Sequence, residues 1–573
     1  MNRLIAFACA SLLTGHCTWA QAIADRGANQ ARSYQEIIDG FQFLASSFAN
    51  AELLELGSTD SGRPLHLFLI QKDAFIEDQS LSEMRKDKLC VLVNNGIHPG
   101  ESCGMDASLE WAKKVLNQGG PAPGELWAFI PVYNIGGSLK RRPHTRANQN
   151  GPELQGFRGN ARNLDLNRDF IKADALNTFS FYAIFHSLRP QIFIDTHTSN
   201  GADYPYTISL ISTLKDKLAP PMAKLMGEDL EPFLYQEMKA RNWEMIPYVN
   251  VFGSTPDEGY AAFLESPRYA SGYTALFHSL GFITETHMFK PYEDRVEATY
   301  QFLESMAAYC LKNKDKVEEA YQAALTWEVE ASKFPIDWTL DSTVVQELKF
   351  KAYGHSYQPS TLGNYKRLAY DRSATKELTI DYFPSYRATK EAHLPKYYLI
   401  PQAWTDLIQR LQYHNIEMRP LNRDSLIEVK SAYLRSWNHQ SRPYEGHFRT
   451  SVDSVEWLLQ KRLFYEGDYL VNASGVNRYF LATVLDPQGR DSYLSWGFFN
   501  IIFQQKEYFS PYIFEDEALK MLEENPKLAE EFETWKASNP RLLGNAYGVL
   551  QFFYQRSDFY EPEHLRYPIG YAY

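Results

Sequence analysis

Short apolar runs rich in β-branched and aromatic residues alternate, from residue 23 to about residue 325, with longer stretches whose apolar positions recur every three or four residues. The short runs cover residues 64–70, 89–93, 126–133, 191–195 and 282–284. Their hydrophobicity is near-continuous rather than alternating, which predicts strands buried on both faces. Helical periodicity fills residues 105–116, 175–188 and 295–311. Such alternation predicts an α/β domain whose sheet is covered by helices on both sides. Ligands of these sheets bind beyond the carboxyl ends of the strands, so the polar residues that follow each run carry the chemical information.

The rhythm fails between residues 327 and 343, which reads as a linker or domain edge. We therefore divide the chain into residues 23–325, an α/β domain, and 326–573, a C-terminal α+β extension. Within the extension, residues 396–400, 427–434 and 479–484 read as strands, and residues 497–554 as a helix-rich tail. No internal repeat occurs.

With 573 residues, 44% hydrophobic and 22% charged, the chain can bury a sizeable core. Its net charge of −12 argues against bulk electrostatic binding to nucleic acid or anionic lipid. A mean hydropathy of −0.41 excludes a polytopic membrane protein. At the N-terminus, Asn2-Arg3, an apolar run over residues 4–13 and Ala20-Gln21-Ala22 form a secretory leader pattern. The run is too short to span a membrane. The expectation is a leader over residues 1–22, a mature chain beginning near Ile23, and a periplasmic or secreted protein. Removal of the leader takes Cys9 and Cys17 and leaves Cys90, Cys103 and Cys310. An odd, irregularly spaced set is no disulfide framework, and these cysteines read as small buried side chains.

Four segments carry candidate chemistry, three at strand ends and one in a loop. Residues 91–101 end a buried run in a Gly/Pro turn bearing His98 and Glu101. A turn can fold an imidazole and a carboxylate three residues apart toward one point, two of the three protein ligands that a catalytic metal site needs. Alone, this pattern is weak and reads more readily as a solvated loop. His197, in Asp195-Thr196-His197-Thr198, follows another strand and could supply the third ligand. Asn167 and Arg168, in Asp165-Leu166-Asn167-Arg168-Asp169, could clamp a carboxylate with paired donors. Glu285, in Ile283-Thr284-Glu285-Thr286, ends a third strand and could act as a general base. A competing pattern is Gly100-Glu101-Ser102-Cys103-Gly104, which fits the G-x-S-x-G elbow of serine hydrolases. An elbow turns directly from strand to helix, whereas residues 96–99 intervene here, and a serine mechanism leaves Asn167, Arg168 and Glu285 without a role.

Taken together and in this order, His98-x-x-Glu101, Asp165-Leu166-Asn167-Arg168, His197 and Thr284-Glu285 resemble the zinc carboxypeptidases of the carboxypeptidase A type. The resemblance covers roughly residues 30–315 and is to a bacterial secreted branch with a long C-terminal extension. It implies a mixed, mostly parallel sheet flanked by helices. One zinc ion would be held by His98, Glu101 and His197, with Glu285 as general base and Asp165 orienting His98. Asn167 and Arg168 would hold the terminal carboxylate of a peptide substrate. Arg146 is the choice for polarising the scissile carbonyl, with Arg142, Arg158 and Arg162 as competitors; Tyr269 is the choice for a mobile tyrosine, with Tyr273 second. A cell-wall stem peptide is the alternative substrate. The chain departs from the family in carrying Asp169 where the best-known members have Asn, and in extra residues at 153–162. The base of the specificity pocket cannot be aligned.

Overall fold

The computed structural model describes residue 27 and residues 29–573 of the chain; the expected leader lies outside the described residues. The first strands are β1 (Ala51–Ser58), β2 (Pro64–Gln71), β3 (Leu89–Asn95), β4 (Glu125–Ile130), β5 (Ile192–Ser199), β6 (Ile208–Ser212), β7 (Met245–Pro247), β8 (Tyr260–Ala261) and β9 (Leu280–His287). All but β8 form one mixed sheet of order β1-β2-β4-β3-β5-β9-β6-β7. Its centre, β4-β3-β5-β9, is parallel, while β1, β2 and β6 pair antiparallel with their neighbours nearer the centre.

Every residue of β3, β4 and β5 is buried, as their continuous apolar runs require. Successive side chains leave a strand on opposite faces, and two cores result. Leu65, Leu67, Leu69, Cys90 and Leu92 enter one. Phe68, Ile70, Val91 and Val93 enter the other. The second core is roofed by α1 (Tyr34–Ser47), α2 (Cys103–Asn117) and a later 39-residue helix, Tyr292–Glu330. Helix α3 (Leu176–Leu188) covers the first core. The long helix, α4, presents Ala298, Phe302, Met306, Tyr309 and Cys310 as a stripe at helical spacing. It runs past residue 325, so the expected division falls within a helix.

Residues 327–343 are structured, which corrects the linker reading: Trp327–Glu330 end α4 and Lys333–Leu340 form β10. Strands β11 (Gln346–Pro359) and β12 (Lys366–Phe383) form a long hairpin whose far end pairs with β8. Strand β13 (Tyr386–His393) pairs with β10. A six-stranded sheet of order β15-β18-β14-β19-β16-β17 follows, from β14 (Tyr397–Ile400), β15 (Met418–Pro420), β16 (Ser425–His439), β17 (Thr450–Phe464), β18 (Tyr469–Asn472) and β19 (Gly570–Ala572). Residues 479–484 were expected as a strand and lie instead in α5 (Arg478–Leu485). Three helices, Pro511–Glu524, Pro526–Ser538 and Ala546–Tyr554, form the expected tail around a small core of their own.

The core covered by α3 continues without a break into Tyr398, Leu434, Phe480, Trp496 and Tyr571. Extension and central sheet share that apolar interior. Among the described residues, no helix is long and apolar enough to cross a membrane. Cys90, Cys103 and Cys310 are buried free thiols.

Candidate active site and metal centre

Beyond the carboxyl ends of β3, β5 and β9 lies a cavity of ≈ 270 Å³ whose lining includes His98, Glu101, Arg146, Arg158, Asn167, Arg168, His197, Tyr248, Tyr269 and Glu285. After β3 the chain turns back on itself, and the Glu101 N–H donates to the His98 carbonyl at 2.8 Å. That turn sets His98 Nδ1 3.3 Å from Glu101 Oε1. His197 lies on β5, in register with Glu285 on the parallel neighbour β9. Adjacent strands lie about 4.8 Å apart, so the pairing holds imidazole and carboxylate side by side. Glu101 Oε2 is 3.1 Å from His197 Nδ1 and accepts from the Thr198 N–H at 2.9 Å.

The ligand atoms of His98, Glu101 and His197 all lie within 4.8 Å of one another, and all three residues are buried. Their remaining ring nitrogens are already engaged: His98 Nε2 with Asp165 Oδ1 at 3.0 Å, His197 Nε2 with Asp195 Oδ2 at 2.8 Å. A carboxylate on Nε2 fixes the tautomer and leaves the Nδ1 lone pair to face a cation, the arrangement usual for metal-bound imidazoles. Two imidazoles and one carboxylate, buried beside an open cavity, suit a metal ion with room for a further ligand.

The electrostatics point the same way. Burial raises the Glu101 carboxyl, but Arg146 and His98 outweigh it and hold the group well below the usual carboxylate range. Burial disfavours the His197 cation, yet Asp195 and Glu101 draw its pKa well above the ordinary value. Burial pushes Glu285 up to about 8; Glu101 and Asp195 add to this, and His197 and Arg146 oppose it. Negative charge is thus crowded around the imidazoles, and a cation there would lower Glu285 toward its ionised, basic form.

The other expected site residues separate clearly. Arg146 lines the cavity with Nη1 2.6 Å from Glu101 Oε1, and its side chain crosses the bare face of Gly100, where a Cβ would lie 2.7 Å from Arg146 Cδ. Arg158 also lines it, bound to Asp165 through Nη2 at 2.8 Å. Arg142 pairs through its backbone with Gln155, and Arg162 donates to the Asp174 carbonyl. Burial works against ionisation of Asp165, but His98, Arg158 and Arg168 hold its pKa well below the usual range. Asp165 also accepts from the Asn167 N–H at 2.9 Å, so one carboxylate steadies His98 and opens the turn that carries Asn167 and Arg168. The Arg168 guanidinium stacks on the Tyr269 ring at 4.4 Å. Tyr273 is buried against His186 at 3.0 Å and does not line the cavity.

Ser102 sits at the start of α2, and among the described residues no imidazole hydrogen-bonds its hydroxyl. Asp195, which a serine triad would need, is committed to His197. Asp169 lies outside the cavity: its oxygens accept from Lys172 Nζ at 2.5 Å, the Asp174 N–H, the Ala175 N–H at the start of α3, and Thr178 Oγ1. It anchors the loop behind the clamp, which accounts for a carboxylate at this position. Sequence reasoning missed Asp195 as the partner of His197, although it stands two residues away on the same strand face. It also missed Tyr248, which lines the cavity just past β7. The strand-end rule would have found Tyr248 had a three-residue strand been visible.

Fold and site together define an α/β protein with a buried two-histidine, one-glutamate centre at the ends of parallel strands. No protein-family model matches the chain. It is 22% identical over 512 residues to Carboxypeptidase 2 of Trichophyton rubrum, covering 81% of this chain and 83% of the fungal one. Similarity to Carboxypeptidase 2 of Trichophyton equinum is also 22%, over 462 residues, 73% of this chain and 75% of that protein. A solved metallo-carboxypeptidase from Pseudomonas aeruginosa, 15% identical, covers 51% of this chain and 71% of its own with a TM-score of 0.37. Carboxypeptidase A of Helicoverpa armigera, also 15% identical, gives 53%, 76% and 0.38. The likeness to carboxypeptidases first read from four motifs thus extends, in the fungal proteins, over most of the chain.

Proposed function

We propose that the protein is a zinc metallocarboxypeptidase that releases the C-terminal residue of peptides outside the cytoplasm. The observation that carries this reading is the convergence of His98, Glu101 and His197 within 4.8 Å of one another in a cavity that also holds Glu285 and Arg168. His98, Glu101 and His197 would hold the zinc, whose chemistry is to polarise the scissile carbonyl and lower the pKa of water to about 7. Asp165 and Asp195 hold the two imidazoles in the tautomer that binds through Nδ1. Glu285 takes a proton from the attacking water onto its carboxylate and passes it to the departing amine. Arg168 pairs with the terminal carboxylate of the substrate, with Asn167 beside it and Tyr269 beneath its guanidinium. Arg146, at the cavity wall, donates to the scissile carbonyl oxygen as negative charge develops there.

The test uses purified protein and a peptide offered as its free acid and as its C-terminal amide. Chelation should abolish hydrolysis, and added zinc should restore it. Arg168→Ala should cripple cleavage of the acid while barely changing that of the amide. Equal loss on both removes the exopeptidase assignment and favours internal or stem-peptide amide cleavage. Hydrolysis that survives chelation but yields to a serine-directed inhibitor returns the choice to Ser102. Secretion is tested by N-terminal sequencing of the exported protein, expected to start near Ile23.

A further inference from the structure

Between β16 and β17 the extension sends residues 440–449 to the turn that begins at Asp165. Tyr444 and His447 exchange both backbone hydrogen bonds, at 2.8 and 3.1 Å, around a two-residue turn of Glu445 and Gly446. Both turn residues have positive φ, +49° and +83°, the signature of a type I′ hairpin turn. Glycine, asparagine or aspartate is usual in the first position, and a glutamate there adopts a backbone conformation it rarely takes. Strain kept at a half-buried turn residue asks what its side chain does.

Three residues of this finger each grip a different part of the clamp. Glu445 Oε2 accepts from the Asp165 N–H at 2.9 Å. His447 Nε2 is 2.7 Å from Asp174 Oδ2, in the loop that Asp169 and Lys172 organise. Tyr444 lies under Arg268, the residue before Tyr269, with the guanidinium 5.7 Å from its ring. Arg268 is tied in turn to buried Asp491 at 2.6 Å, which Arg449 at the base of the finger also binds at 3.1 Å. Both halves of the clamp, Asp165–Arg168 and Tyr269, therefore rest on the extension.

We infer that Glu445 is a positioning residue for the carboxylate clamp, and that the Tyr444–His447 turn makes the C-terminal extension part of the active site. Glu445 acts through the backbone of Asp165. It sets the start of the turn that carries Asn167 and Arg168, so its effect falls on recognition of the substrate's free carboxylate. The inference rests on the proposed carboxypeptidase activity, but its structural half is measured without it.

The experiment compares zinc-loaded full-length protein with Glu445→Ala and Glu445→Gln. Hydrogen exchange of the peptide covering residues 163–170 is read first. Glu445→Ala should exchange there about tenfold faster, the size expected on removing a charge-assisted hydrogen bond, and Glu445→Gln, which keeps an acceptor, should stay near wild type. Kinetics on a free-acid peptide and its amide are read second. Glu445→Ala should raise KM for the acid about tenfold at nearly constant kcat, leave the amide unchanged, and be largely rescued by Gln. Exchange at residues 163–170 equal to wild type overturns the inference, as does equal loss on acid and amide with zinc retained. If wild type itself shows no preference for the acid, the carboxypeptidase reading fails, and the exchange result alone decides whether Glu445 orders the turn.

Discussion

Asp169 offers a quantitative test of how the clamp loop is held. Its side chain and that of Lys172 are both 0% exposed, and the two meet at 2.5 Å. Asp169→Asn keeps the shape but leaves one oxygen for four donors: Lys172 Nζ and the Asp174 N–H on one side, the Ala175 N–H and Thr178 Oγ1 on the other. Whichever way the amide turns, its NH₂ faces donors. Removing one partner of a buried ion pair costs about 3–5 kcal/mol. Lys172 keeps Asp174 at 2.7 Å, which places the expected loss near the lower end, about 3 kcal/mol. At about 1.4 kcal/mol per decade that is on the order of 100-fold in a local opening constant. Native-state hydrogen exchange at the amides of Asp174 and Ala175 reads it directly. Adding Lys172→Met removes the stranded charge, so the double variant should recover at least half of the loss. If Asp169→Asn protects these amides as well as wild type does, or if the double variant is worse than the single one, the buried pair is not what holds the loop.

Glu285→Gln should retain zinc at wild-type stoichiometry while kcat falls by about 10²–10⁴, whereas His197→Ala should lose metal and activity together; metal analysis beside kinetics checks the pair. Burial lifts Asp486 to about 6, with the Gln488 N–H and Lys390 opposing. The folded state therefore keeps a proton that the unfolded chain has lost between about pH 4 and 6, and stability falls as pH rises through that window. Asp486→Asn should raise the melting temperature at pH 7–8, and the difference should close near pH 4. A Cβ at Gly104 would lie 2.0 Å from Thr196 Oγ1, next to His197, so Gly104→Ala should cost about 1–3 kcal/mol in denaturant unfolding and weaken metal binding.

The central sheet was legible because β3, β4 and β5 are buried on both faces and say so in continuous apolar runs. The same signal misled at Arg478–Leu485. That segment is fully buried from Tyr479 onward and rich in aromatic and β-branched residues, so it shows no period, and its tertiary surroundings made it a helix. The β11–β12 hairpin was missed although its base carries a short alternation: Leu348, Phe350 and Ala352 alternate with charged residues and meet Leu378, Ile380 and Tyr382 in a small core, while the rest of the hairpin is exposed or half-exposed and gives no such pattern. In the site, residues at strand ends were found because topology gathers strand ends. Arg146 was chosen from four arginines in one irregular segment; the coordinates place Arg158 beside it on the cavity wall and leave Arg142 and Arg162 out of the lining. Glu445 left only a Glu-Gly pair in the sequence, and nothing local links it to a turn 280 residues earlier.

The in-register pairing of His197 with Glu285 and the reach of Glu445 to Asp165 bear on when, during its own synthesis, the chain acquires a working centre. Glu101 and His197 are 96 residues apart, and Asp165 and Glu445 280. A nascent chain that has emerged only as far as residue 250 carries every expected metal ligand but no β9, and so no Glu285. One that ends before residue 445 can lay β9 beside β5 yet leaves the Asp165 amide without its acceptor. Contacts of such long sequence separation form late, because the entropy of closing the intervening loops must be met first. A site built this way has its expected metal ligands and Glu285 together only once half of the chain has been made, and the Asp165 turn gains its support from the extension later still, so shorter nascent copies carry no complete centre.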